Sequence, residues 1–208
     1  MSFDNDLFYS FPIVGILRGF DDELITPLVE ACAEAGLANL EITMNTENAA
    51  GQIKAAVESA GGRMNIGAGT VTTPELLDQA LEAGATYIIT PDVNLEVMEL
   101  CLEREIPVFP GAFTPTEIHQ AWQLGATMVK VFPANVLGPD FIASLRGPFA
   151  DIPLMPTGGV SLQNLDDYLK AGANAFGVGS PLFHKDRVKA KDWDWVKEQV
   201  KAFRSCFS

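Results

Sequence analysis

The chain has 208 residues, 48% of them hydrophobic, enough to enclose one substantial core and consistent with a single domain over residues 1–208. It carries 14 Lys and Arg against 27 Asp and Glu, and a net charge of -13 excludes nonspecific attraction to nucleic acid or to an anionic membrane. Cys32, Cys101 and Cys206 are widely spaced, with no CxxC pair, so neither a disulfide framework nor a cysteine-based metal site is indicated and a reducing cytoplasmic location is expected.

The opening residues Met1-Ser2-Phe3-Asp4-Asn5-Asp6 lack a basic run followed by an apolar one, and no apolar stretch is long enough for a bilayer, so neither export nor membrane insertion is expected. Phe3, Leu7, Phe8 and Phe11 predict a short helix with one apolar side. Strand-like runs follow at residues 12–18, 37–43, 64–70, 86–90, 107–111, 128–133, 153–157 and 175–179. Between them lie segments of helical spacing. The stretch Thr73 to Gly84 is an example, with a cap and a proline at its start and a glycine at its end. Ala35-Gly36, Leu124-Gly125 and Ala171-Gly172 repeat that closing pattern. Residues from Asp192 to Phe203 read as a last helix whose aromatic residues pack.

Eight such units imply a parallel sheet closed on itself, an α/β fold of the (β/α)8 TIM barrel type, compact for that architecture. The short N-terminal helix is expected to plug the barrel bottom. An open doubly wound sheet is the alternative, but Gly15-Ile16-Leu17-Arg18-Gly19 does not supply its glycine-rich first turn.

Catalytic groups of such barrels gather at the C-terminal ends of strands. Lys130 lies in the apolar run Met128-Val129-Lys130-Val131-Phe132-Pro133, where desolvation disfavours the ammonium and makes the amine a nucleophile toward carbonyls. A structural ion pair with Glu41 is the alternative. Arg18 ends the first strand, Glu41 and Thr43 lie late in the second, and Thr70 ends the third, so charges from three strands converge on one interior pocket. Pro91, after the fourth strand, can border a ketoacid there, and Phe132 packs or shapes the pocket. Asp92 and Asn94 read as loop and cap residues, His119 as surface, and His184 as a possible neighbour of the mouth. Thr157-Gly158-Gly159 after the seventh strand and Gly179-Ser180 after the eighth offer backbone N–H groups where barrels commonly hold phosphate.

Leu40-Glu41-Ile42-Thr43, Gly67-Ala68-Gly69-Thr70-Val71, Val129-Lys130-Val131-Phe132-Pro133-Ala134, Pro156-Thr157-Gly158-Gly159-Val160 and Gly177-Val178-Gly179-Ser180 resemble, in order and spacing, the motifs of the 2-keto-3-deoxy-6-phosphogluconate (KDPG) and 4-hydroxy-2-oxoglutarate (KHG) aldolase family. That resemblance implies a class I aldolase without metal or other cofactor, usually a homotrimer, acting on a small keto-acid phosphate. It makes Lys130 the Schiff-base lysine and Glu41 the general acid and base. Arg18 and Thr70 then contact the pyruvate half, and Thr157, Gly158, Gly159, Gly179 and Ser180 hold the phosphate. Asn45 departs from the pattern: an arginine often stands there to bind the substrate carboxylate, and Asn45 has no charge to replace it. An asparagine at that position resembles relatives acting on the galactonate epimer, so the sequence leaves the epimer open. A phosphosugar isomerase or epimerase, or a noncatalytic sugar-phosphate sensor, would use the same phosphate loops without an imine.

Overall fold

The computed structural model describes residues 2–207; Met1 and Ser208, the ends of the expected 1–208 domain, lie outside the described residues. Among the described residues the strands are β1 Ile13–Leu17, β2 Asn39–Thr43, β3 Asn65–Gly69, β4 Ile88–Ile89, β5 Val108–Phe109, β6 Gly111–Ala112, β7 Val129–Val131, β8 Leu154–Pro156 and β9 Phe176–Val178. All neighbours pair parallel, in a six-stranded sheet ordered β5-β4-β3-β2-β1-β9 and a three-stranded sheet ordered β6-β7-β8. Their near-continuous apolar runs follow from burial on both faces, as parallel sheets require.

The helices between strands begin and end where the sequence signals them. In the helix Pro74–Glu82 the Thr73 side chain accepts from the Leu76 N–H, and Gly84 turns the chain out at φ 100°. The helix Leu95–Glu103 starts the same way, with the Asn94 side chain accepting from Val97 N–H. The last helix, Trp193–Arg204, is capped by Asp192, buries Val196, Val200 and Phe203, and packs on the helix Asp22–Glu34. No helix of the described residues is long and apolar enough to cross a membrane.

The expected fifth strand, 107–111, is two segments, because Pro110 has no N–H to offer a ladder. Its carbonyls nevertheless serve both sheets. Those of Pro107 and Phe109 accept from Ile88 and Thr90 on the β4 side, while those of Val108 and Pro110 accept from Thr127 and Lys130 on the β7 side. At the other junction Thr157, just past β8, bridges to Gly177 of β9, and Asn174 N–H donates to the Leu154 carbonyl. The fold is therefore α/β on a curled parallel sheet, with nine strand segments in two sheets in place of eight uninterrupted strands.

The N-terminal helix Asn5–Ser10 lies across the N-terminal ends of the strands. Phe8, 1% exposed, packs with Val14, Tyr87, Phe109, Met128 and Met155, a burial that stabilises by roughly 1.5–3 kcal/mol. Polar ties fix the segment's position. Asn39 at the start of β2 donates to the Phe8 and Phe11 carbonyls at 3.1 Å each and accepts from Asn65 at the start of β3 at 3.0 Å. Asn65 also exchanges two 2.8 Å hydrogen bonds with the Asp4 backbone.

Candidate active site

Period-two alternation along β2 sends Leu40 and Ile42 toward the helices and Glu41 into the sheet interior. Glu41 is 1% exposed, and Lys130, projecting from β7, is 4% exposed. Both line one cavity of about 380 Å³ with Arg18, Phe132, the Thr157 to Gly159 turn and Ser180. Gly69 makes room for the acid, since a Cβ there would lie 2.7 Å from the Glu41 carboxyl carbon and both its oxygens. None of the six ion pairs among the described residues includes Glu41 or Lys130, and Glu41 Oε2 has no hydrogen-bond partner. The structural ion pair considered from sequence is thus not formed within 4.0 Å.

Burial shifts both groups toward their neutral forms. Desolvation holds the Glu41 carboxyl above the usual carboxylate range, and the opposing pull of Lys130 and Arg18 does not overcome it. Desolvation likewise holds the Lys130 amine below the ordinary lysine range; Glu41 acts against that shift and Arg18 adds to it. The pair therefore tends toward a neutral amine, a nucleophile for carbonyl carbon, beside a carboxyl able to donate a proton. The Lys130 Nζ lies 4.8 Å from the centroid of the Phe132 ring, whose apolar face contributes to the desolvation.

Arg18 and Thr70 are joined at the strand ends, with Arg18 Nη2 donating to Thr70 Oγ1 at 3.3 Å. Thr70 holds φ 57°, a left-handed conformation that costs a β-branched residue about 1–3 kcal/mol. Thr43, two residues on from Glu41 in β2, donates to the Leu17 carbonyl and meets the Thr46 hydroxyl, tying β2 to β1.

Thr157 is buried, while Gly159 and Ser180 are exposed where they line the cavity. Gly158 and Gly159 both have positive φ, 92° and 78°, and the Asn135 side chain approaches Gly159 too closely to admit a Cβ. The amides of Gly159, Gly179 and Ser180 make no backbone hydrogen bond among the described residues. They form a set of donors suited to an oxyanion.

Three candidates do not line this cavity, and of these Thr70 is linked to it by its hydrogen bond with Arg18. Asn45 is exposed, and Pro91 borders a neighbouring cavity with Phe113 that meets the first only through Phe132. His184 is exposed and packs its edge on Trp195, and His119 stacks on Phe149 at the surface. Sequence reasoning passed over Phe20, Phe183 and Lys185, all of which line the cavity. Their signal was position alone, each shortly after the end of a strand. Among the described residues no group of three or more His, Cys, Asp or Glu converges to hold a metal.

Known proteins resemble the chain over most of its length. The family model described as KDPG and KHG aldolase matches residues 5–199. The chain is 39% identical over 188 residues to the 2-dehydro-3-deoxy-phosphogluconate aldolase of Pseudomonas aeruginosa, covering 89% of this chain and 83% of that protein. It is 33% identical to the 2-dehydro-3-deoxy-6-phosphogalactonate aldolase of Escherichia coli over 93% of this chain and 95% of that one. Among solved structures, the KDPG aldolase of Legionella pneumophila, with pyruvate captured at low pH as a covalent carbinolamine intermediate, superposes with a TM-score of 0.88 at 28% identity, covering 95% of this chain and 96% of that one. On this match across nearly its whole length, the chain belongs to the KDPG and KHG aldolase family of aldehyde-lyases.

Proposed function

We propose that the protein cleaves 2-keto-3-deoxy-6-phosphogluconate, or its galactonate epimer, to pyruvate and glyceraldehyde 3-phosphate through an imine on Lys130. The observation that carries this reading is the buried, unpaired Lys130 amine sharing a cavity with the equally buried Glu41 carboxyl. The neutral amine attacks the C2 ketone, and Glu41 supplies the proton with which the carbinolamine oxygen leaves as water. The resulting iminium is an electron sink. Glu41, now a carboxylate, takes the C4 hydroxyl proton as the C3–C4 bond breaks, and the bonding pair moves into the iminium to give an enamine. The aldehyde departs, C3 of the enamine is protonated, and hydrolysis frees pyruvate and Lys130. Arg18, steadied by Thr70, binds the carboxylate of the pyruvate half, with Phe132 beneath it and Pro91 behind Phe132. The amides of Gly158, Gly159, Gly179 and Ser180, with the hydroxyls of Thr157 and Ser180, hold the phosphate.

The carbinolamine named in the Legionella structure supports an amine nucleophile, and the names of the two bacterial relatives support phosphorylated sugar acids as substrates. Cleavage of 4-hydroxy-2-oxoglutarate to pyruvate and glyoxylate uses the same bonds and is proposed as a second activity. Asn45, exposed just past β2 and outside the cavity lining, is read as bearing on which epimer is preferred through the arginine charge it does not supply. The chain is further read as one domain whose two sheets close as a single (β/α)8 barrel, β5 and β6 being its fifth strand, and as a cytoplasmic homotrimer.

Borohydride reduction in the presence of pyruvate tests the chemistry. The expected result is a pyruvate-derived adduct at Lys130 in the wild type and none in Lys130→Ala, which stays folded and loses turnover of both epimers. An adduct elsewhere, or full activity in Lys130→Ala, refutes the assignment.

A further inference from the structure

The donors gathered at the glycine turns are neutral. A phosphate monoester brings about -1.5 to -2 charges at neutral pH, into a protein whose own net charge is -13. Backbone amides can satisfy its oxygens but leave most of that charge without a counter-ion. The cations lining the cavity are Arg18, Lys130 and Lys185. Arg18, hydrogen-bonded to Thr70, is assigned above to the substrate carboxylate, and the buried Lys130 amine tends to be uncharged. Glu41 is the cavity's one acidic side chain. Lys185 follows Ser180 by five residues, is exposed, and enters none of the ion pairs among the described residues. Its flexible stem suits a point charge that reaches toward a mobile anionic group.

We infer that Lys185 is a specificity-determining residue, supplying the positive charge that retains the terminal phosphate of the substrate at the Gly158-Gly159 and Gly179-Ser180 turns. The inference rests on the aldolase reading above and adds to it a reason for preferring phosphorylated over unphosphorylated sugar acids. The amides fix where the phosphate oxygens sit, and Lys185 fixes the charge they must carry. A charge-assisted contact at a partly exposed rim is expected to contribute about tenfold in KM.

The test compares kcat and KM for 2-keto-3-deoxy-6-phosphogluconate with those for the same sugar acid lacking phosphate, in wild type, Lys185→Gln and Lys185→Arg. Lys185→Gln is expected to lower the preference for the phosphorylated substrate about tenfold, chiefly through KM. Lys185→Arg, which keeps the charge, is expected to retain most of the preference. The ratio in Lys185→Gln should also lose sensitivity to added salt. A preference unchanged in Lys185→Gln overturns the inference, and so does an equal loss in Lys185→Arg. Borohydride trapping of pyruvate by the wild type keeps the two readings apart. Absence of an adduct removes the aldolase chemistry itself, whereas a trapped enzyme with an unaltered preference removes only the role of Lys185.

Discussion

A buried amine is a cost the fold carries at Lys130. Its pKa lies below the ordinary lysine value, so between the two values the unfolded chain holds a proton that the native chain does not. Native stability from this group consequently rises as pH climbs through that window toward about 10 and falls as pH drops through it. Lys130→Met keeps the length and apolar character of the stem without the ionisable group. It is expected to raise stability at pH 7 by about 1 kcal/mol or more, with the advantage over wild type shrinking toward pH 10. Urea midpoints measured across that range check both the sign and the slope. A variant less stable at pH 7, or one whose difference is flat with pH, is inconsistent with a desolvated lysine. Glu41 has the opposite slope. Its raised pKa means the native chain keeps a proton that the unfolded one releases, so its contribution declines as pH rises from about 4.3 through the folded value.

At the scale of elements, the N-terminal helix shows how apolar packing and a few polar ties divide the work. Phe8 and Phe11 supply burial, while Asn39 fixes where the segment lies by donating to two of its carbonyls from the start of β2. Asn39→Leu leaves those carbonyls and the Asn65 amide without their partner in a dry interior, and is expected to cost about 3 kcal/mol. Thermal unfolding is the measurement. A change below about 0.5 kcal/mol, the scale of an ordinary surface substitution, shows that the aromatics hold the helix unaided. This tie was not legible in the sequence, because an asparagine inside the expected strand 37–43 does not reveal which backbone carbonyls it will meet. The break of the fifth strand at Pro110 was equally hidden: the run looks continuous, and only the ladder exposes the missing N–H. Helix ends were legible because Thr73 and Gly84 each do one local job that needs no tertiary partner. Lys130 and Glu41 stood out as charges inside apolar runs. Lys185 did not, since a lysine in a polar stretch, here opening the short helix Lys185–Lys189, looks like any solvated side chain until the cavity is seen.

For the whole molecule, the decisive contacts are the two seams between the sheets. The carbonyls around Pro110 and the Thr157 to Gly177 bridge make the three-stranded sheet depend on the six-stranded one. Both seams predict cooperative loss of structure. Trp122 sits in the helix leading to β7, while Trp193 and Trp195 sit in the final helix, so fluorescence from each region can be isolated by replacing the other tryptophans with phenylalanine. At fixed protein concentration the two signals and far-UV dichroism are expected to share one urea midpoint. Separate midpoints reveal that a sheet unfolds on its own.

The placement of Glu41 over Gly69 has a further consequence. Part of the proposed reactive centre is specified by matter left out, for position 69 contributes only main chain and yet any side chain there would force the acid to shift. An inventory of functional groups undercounts what this chemistry demands. Anyone reshaping the enzyme for new substrates is as constrained at that bare position as at the carboxyl it shelters.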